Sequence, residues 1–350
     1  MKKTITLKSS KSKPLNGIIN VPSDKSISIR SLIISSTCLG NTKVFKLLES
    51  EDVINTLKVL KNLKIKIIKK NSYYEVFGQG GFFSDPQKIL DFGNSGTGVR
   101  LMAGLLSTSE VNATLSGDQS LSSRPMKRIV DPLQEMNVSI KHNDGFLPIK
   151  VFNNNNQHVP INHTLNVGSA QVKSCILLAA LNVKGTTKIV EKIPSRDHTE
   201  IMLKFLGANL VKEKNVIKLT SPNFLEPKEL RIPGDFSSAA FVIVAVLLSK
   251  KSKVKLKDVG LNYYRTGLLD VLKKMNANIS IKNRRNFNGE VVGDIEVESS
   301  NLVGTVVNKN IVPRLIDEYP ILFVAASFAS GVSEFYGLNE LKVKESNRLA

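Results

Sequence analysis

Four times along the chain, apolar residues at helical spacing give way to a short extended pair in nearly the same wording: Leu63-Lys-Ile-Lys-Ile67, Met136-Asn-Val-Ser-Ile140, Leu206-Gly-Ala-Asn-Leu210 and Met275-Asn-Ala-Asn-Ile279. The anchors lie 73, 70 and 69 residues apart. Leu57 and Leu60, Leu133, Met202 and Leu203, and Leu268, Leu269 and Leu272 supply the helical side, and alternating and turn residues follow. Each phrase therefore predicts a helix running into a hairpin.

A second phrase alternates with the first. Small and polar residues open apolar stretches at Ser23–Ser26 before 27–39, Asn94–Gly98 before 99–106, Gly168–Gln171 before 172–181, Gly234–Ser238 before 239–248, and Asp317–Pro320 before 321–329. Ser, Asp, Asn and Gly suit a helix N-cap, and Pro320 suits a first turn. These five helices are apolar around most of their circumference, which predicts a central place in a domain. The unit is strand, buried helix, strand, amphipathic helix, hairpin, and at about seventy residues it is longer than the common solenoid repeats. Several such units imply a compact α/β domain. A fifth phrase opens at Lys342–Ala350, and the sequence stops inside that predicted helix, which reads as a C-terminally incomplete chain.

Length adds a domain count: 350 residues exceed what one core usually holds, so two domains are expected. An apolar fraction of 41% and a mean hydropathy of −0.05 exclude a disordered chain. The longest apolar runs, such as Ala239–Ser249, are too short for a membrane span. Lys8, Lys11 and Lys13 interrupt any signal-peptide core, so a cytoplasmic location is expected. Cys38 and Cys175 stand alone in small, apolar surroundings and read as buried thiols. His142, His158, His163 and His198 are scattered singly, so no metal site is expected.

Charge then points at the ligand. The chain carries 49 Lys and Arg against 30 Asp and Glu, a net +19, which favours an anionic partner, either nucleic acid or a small phosphorylated molecule. Free N–H groups at a helix start form an anion site. Several of the repeated helices open on Gly, Ser or Thr with Lys25, Arg30, Arg100 or Lys173 nearby. If the repeats set these openings on one side, the positive ends converge on a cleft. Taken singly the pieces are weak. Gly93–Gly98 lacks both GxxxxGK[ST] and GxGxxG spacing and reads equally as a plain cap. Arg124 before Pro125 reads as a carboxylate clamp or a surface ion pair, Asp317-Glu318 as a dipole-stabilising cap, and Lys344-Glu345 with Arg348 as a solvated helix face.

Together, in order, these segments resemble the EPSP synthase (3-phosphoshikimate 1-carboxyvinyltransferase) family. The resemblance rests on Pro22–Arg30, Asp91–Arg100, Gly117–Met126, Ser169–Ser174, Ser195–Glu200, Ile316–Ile321 and Val343–Arg348, seven co-linear motifs over nearly the whole chain. Ser-Ala-Gln-Val-Lys and Ser-Arg-Asp-His-Thr-Glu resemble the second of two broad bacterial classes. The resemblance implies a two-domain inside-out α/β barrel of repeated units, with an upper domain of three units at 21–233. The lower domain is 1–20 plus 234–350, its last units missing. It implies transfer of the enolpyruvyl group of phosphoenolpyruvate to the 5-hydroxyl of shikimate 3-phosphate, with no metal and no cofactor, in a monomer that binds neither nucleic acid nor membrane.

By matching position, Lys25 would touch both substrates and would count, with Asp317 and Glu345, among the catalytic residues. Ser26, Arg30, Ser169, Ala170, Gln171, Arg196, Asp317 and Lys344 would line the shikimate 3-phosphate pocket, and Gly96, Arg124, Gln171 and Arg348 would hold phosphoenolpyruvate. Asp317 would take the hydroxyl proton and Glu345 would act at the methylene carbon. Asn347 replaces the usual Asp before Arg348, which weakens the expected support for that arginine. Gly96 is unsubstituted, so the herbicide glyphosate is expected to enter the full-length site. The family's later Asp-His-Arg motif and a later Lys are absent, so little activity is expected of the chain as given. The rival enolpyruvyl transferase acting on UDP-N-acetylglucosamine typically has Lys-Asn in place of Lys25-Ser26 and a reactive Cys near 115–121, where none stands here. An RNA-binding α/β protein would explain the charge, but there is no Trp and no dense basic run.

Overall fold

The computed structural model describes residues 6–10, 13–153, 157–221, 224–343 and 347–349. Four sheets share one plan. In the second unit, strand Leu90–Asp91 runs parallel to Ala113–Ser116, which pairs antiparallel with Phe146–Phe152, itself paired with Ser139–Asn143. The third unit repeats this with Asn162–Leu165, Gly185–Glu191, Val216–Ser221 and Leu210–Glu213. The helix Gly96–Ser107 fills the parallel crossover of the second unit and Ala170–Ala180 that of the third.

The first and fourth units borrow their first strand from far away. Leu39–Phe45, Tyr73–Gln79 and Lys66–Lys69 are completed by Leu230–Arg231, which lies parallel to Leu39–Phe45. Lys253–Gly260, Glu290–Glu298 and Asn278–Phe287 are completed by Asn16–Asn20. A fifth, shorter unit pairs Val306–Val307 with Glu334–Phe335 around the helix Tyr319–Ser327.

The recurrent phrase of the sequence is a helix C-terminus. The amphipathic helices end on Leu63, Met136, Leu206 and Met275, and the next residues, Lys64, Asn137, Gly207 and Asn276, all have positive φ. In each, the following N–H returns to a carbonyl five residues back, as from Ile65 to Leu60 and from Ala277 to Leu272, both at 3.0 Å. This left-handed cap turns the chain directly into the hairpin.

Two apolar cores result, one drawn from Ile27 to Ile232 and one from Phe236 to Leu341 with Leu15 and Val21 against it. Helices Lys25–Ser35, Gly96–Ser107 and Ala170–Ala180 are buried almost all round, as their apolar circumference predicts. Gly104 permits the closest of these contacts, since a Cβ there would sit 2.1 Å from the Cys175 carbonyl. Gly104→Ala is therefore expected to cost about 2–3 kcal/mol, read as a lowered thermal midpoint with no change at the helix openings.

Three expectations are corrected. The first apolar helix ends at Ser35 rather than 39, because Leu39 enters the sheet. The two lower helices, Phe236–Leu248 and Tyr319–Ser327, pack on each other but leave Phe241 57% and Val324 43% exposed, so they are only partly central. A helix over 342–350 is not formed in its described residues: Leu338–Val343 is a 3₁₀ turn and Arg348 and Leu349 lie in a turn.

Where the chain passes between the cores, Pro22–Asp24 and Pro233–Asp235 lie antiparallel. Asp24 N–H donates to the Pro233 carbonyl at 2.9 Å and Asp235 N–H to that of Pro22 at 2.8 Å. Each aspartate also caps the helix it precedes: Asp24 accepts from Ile27 N–H at 2.8 Å, and Asp235 from Ser238 N–H at 2.9 Å. The two halves thus meet at a pair of matched helix openings.

Candidate active site

The openings of the three upper helices are tied to one another by side chains. Ser95 and Ser169 cap the second and third helices through Gly98 N–H and Val172 N–H. Gln171, in the first turn of the third helix, accepts from Arg100 at 3.0 Å and donates to Thr97 at 3.2 Å on the second. Arg30 of the first helix donates to the hydroxyls of Ser174 at 3.2 Å and Thr199 at 2.8 Å and to the Ser26 carbonyl at 3.1 Å. Ser174 in turn donates to the Ala170 carbonyl at 2.6 Å. Ser26, Ser169, Ala170 and Gln171 are half-buried. The positive ends of the three helices therefore face a common place, as anion binding requires.

Around that place the cations are individually held. Burial pulls the Arg30 guanidinium down to about 10 against the pull of Asp24 and Glu200, so it stays charged at neutral pH. Lys25 reaches Asp52 at 3.0 Å and remains half-exposed. Arg124 donates to the Asn94 carbonyl oxygen at 2.5 Å, and Asn94 donates to Asp118 at 2.8 Å. The hydrogen bond from Asn94, with the Leu121 N–H, holds the Asp118 carboxyl low. Arg100 and Arg124 flank Gly96, where a Cβ would lie 2.9 Å from one guanidinium and 3.2 Å from the other.

The lower half faces this cluster with Asp317, at the start of the Tyr319–Ser327 helix. Its carboxylate accepts a short hydrogen bond from Arg196, from the loop before His198, and one of 3.1 Å from Arg348, which also donates to the Ile316 carbonyl. Arg265 approaches the same carboxylate at 3.6 Å. Beside it Glu318 is buried, and burial raises its carboxyl despite Arg265.

Of the residues singled out from sequence, Lys25, Ser26, Arg30, Gly96, Arg124, Ser169, Ala170, Gln171 and Arg196 are thus found around the upper openings, and Asp317 and Arg348 opposite them. Lys344 and Glu345 lie outside the described residues. Asp52, Asn94, Asp118, Thr199 and Arg265 were not named as site residues, although Asn94, Asp118 and Thr199 fall inside the motifs that carry the resemblance. Arg265 had a signal in the repeat: Arg124, Arg196 and Arg265 each stand two or three residues before an amphipathic helix, at Lys127, His198 and Gly267. Cys38 and Cys175 are buried, and burial pushes the Cys38 thiol up to about 11. Among the described residues no three His, Cys, Asp or Glu side chains are placed to hold a metal ion.

A family profile for EPSP synthase (3-phosphoshikimate 1-carboxyvinyltransferase) matches residues 9–350. A relative named 3-phosphoshikimate 1-carboxyvinyltransferase from Bartonella henselae is 46% identical over 357 residues, covering 100% of this chain and 80% of its own length. One of the same name from Caldicellulosiruptor saccharolyticus is 46% identical over 95% of this chain and 77% of its own. The solved EPSP synthase of Acinetobacter baumannii superposes with a TM-score of 0.88 at 38% identity, covering 97% of this chain and 77% of that one. The enolpyruvyl transferase NikO of Streptomyces tendae, at TM-score 0.68 and 13% identity, shares the fold.

Proposed function

The chain belongs to the EPSP synthase family, and from that membership we propose how its residues divide the work of the reaction. The enzyme transfers the enolpyruvyl group of phosphoenolpyruvate to the 5-hydroxyl of shikimate 3-phosphate and releases phosphate, a step of the shikimate pathway to the aromatic amino acids. The hydroxyl oxygen adds to C2 of phosphoenolpyruvate while a proton adds to its methylene carbon. The tetrahedral intermediate then loses phosphate from C2 and a proton from the new methyl group.

In our reading Lys25, Ser26, Arg30, Ser169, Ala170, Gln171, Arg196 and Lys344 receive shikimate 3-phosphate, and Lys25, Gly96, Arg124, Gln171 and Arg348 receive phosphoenolpyruvate. Asp317 accepts the hydroxyl proton, and Glu345 serves the methylene carbon. The observation that carries this is the Asp317 carboxylate set against Arg196 across the cleft, beside the joined helix openings. A base beside a cluster of cations is what addition of an alcohol to an anionic enol phosphate requires.

Residues 21–233 and 1–20 plus 234–350 are taken as the two domains, closing on the substrates about the paired crossing. All the proposed groups come from one chain, so a monomer is sufficient. No described helix is long and apolar enough to cross a membrane, and the phosphorylated substrates favour a cytoplasmic place.

Calorimetry with shikimate 3-phosphate, followed by phosphoenolpyruvate, tests the assignment. Heat is expected from the first ligand alone, and the second should bind more tightly in its presence. No heat from shikimate 3-phosphate, with specific binding of RNA instead, would sink it. Gly96→Ala gives a finer check, because its methyl would press on Arg100 and Arg124. Affinity for phosphoenolpyruvate is expected to fall about tenfold, and that for the bulkier glyphosate further, with shikimate 3-phosphate unaffected. Equal losses for all three ligands would count against this placement of Gly96.

A further inference from the structure

We propose that Arg265 is a positioning residue for the reaction, holding the Asp317 carboxylate from the domain crossing when Arg196 and Arg348 turn to the substrates. The inference rests on Asp317 as the base. Arg265 is 6% exposed and joins the caps of both halves: one terminal nitrogen lies 2.9 Å from Asp235, 2.8 Å from the Ser237 hydroxyl and 3.7 Å from Asp24, while the other lies 3.6 Å from Asp317. Burial raises the Asp235 carboxyl and Asp24 raises it further. Burial likewise raises Asp24, but there Arg265, His198 and the Ile27 N–H outweigh it and hold that carboxyl low. Removing the guanidinium would leave this pair without its shared cation.

The repeat supports a functional reading. Arg265 occupies the phase of Arg124 and Arg196, ahead of the second helix of its unit, so three successive units each deliver a guanidinium to the cleft side. Two of these are assigned to substrates, and the third reaches the base. Arg196 and Arg348 bond Asp317 directly, yet a phosphate or carboxylate ligand competes for both. Arg265, fixed at the crossing by Asp235 and Ser237, cannot follow a ligand. The groups facing Asp317 are Arg196 from the loop before His198, Arg348 from the C-terminal turn, Arg265, and the neighbouring carboxyl Glu318. Lys344 and Glu345 fall outside the described residues.

Arg265→Gln and Arg265→Lys, made in the full-length protein, test the proposal through two readouts: calorimetry with shikimate 3-phosphate, and single-turnover phosphate release, enzyme in excess, across the acid limb. In Arg265→Gln, binding is expected within about threefold of the parent while the rate falls about 100-fold. Losing a cation raises the proton affinity of Asp317, so the acid limb should move to higher pH by about one unit. Arg265→Lys keeps the charge but not the fork, so the limb should stay and the rate fall about tenfold.

The parent rate and limb in Arg265→Gln would overturn the proposal. So would parallel losses of affinity and rate in both variants with an unmoved limb, which is what a structural strut would give. If Arg265→Gln does not fold, the parent rate in Arg265→Lys overturns it. A parent rate in Asp317→Ala would instead remove the base reading, and this inference with it.

Discussion

Asp317→Ala in the full-length protein is expected to lose about 10³- to 10⁴-fold in the rate of phosphate release while still binding shikimate 3-phosphate. The carboxylate is bonded to Arg196 and Arg348, with Arg265 3.6 Å away, so its orientation is set before a substrate arrives. Such fixed geometry makes a base effective, since little reorganisation remains for the reacting complex. Removing the side chain also frees Arg196 from its internal partner. Affinity for shikimate 3-phosphate should therefore hold or rise rather than fall in step with the rate. Single-turnover release read beside calorimetry separates the two quantities, and a variant turning over like the parent would take Asp317 out of the chemistry.

Lys25→Met should show the opposite signature, with both affinities falling about 100-fold and turnover about 10³-fold. Lys25 is the first residue of the first upper helix, where its ammonium adds to the positive helix end. In the free protein its partner is Asp52, which is partly solvent-exposed, so losing the lysine does not strand a buried charge. The losses should therefore appear in ligand binding and not in the thermal midpoint. Arg is a poor substitute, because its planar fork does not reproduce a compact ammonium reaching two ligands. Titrations with each substrate in turn decide the matter, and parent affinity for both would exclude Lys25 from the site.

Local features were legible in the sequence because local forces made them. The recurrent phrase marked the passage from helix to hairpin, which the structure makes through left-handed caps at Lys64, Asn137, Gly207 and Asn276, and Asp24, Ser95, Ser169 and Asp235 lie in predicted helix openings and do cap. Gly96, Arg124, Arg196 and Asp317 could be placed in a common site only through the family resemblance. Nothing nearby in the chain says that Arg196 meets a carboxylate 121 residues away.

Arg265 escaped for the same reason. Its partners Asp24, Asp235 and Asp317 are brought together only by the crossing, and a lone Arg beside two tyrosines reads as surface. The repeat phase was the signal that could have found it. The apolar stretch 239–248 pointed to a central helix, but burial depends on how many neighbours surround a helix, and Phe241 shows an open side.

The borrowed strands also order events in time. During synthesis the second and third units hold every strand they need within about seventy residues of chain and can close as each emerges. The first unit cannot. Its edge along Leu39–Phe45 stays unpaired until Leu230 and Arg231 leave the ribosome, and Asn16–Asn20 must wait for Lys253–Gly260. Closing such long loops delays folding more than it weakens the finished protein. A nascent chain therefore carries two bare strand edges through most of its translation, and those edges are where a chaperone would be needed first.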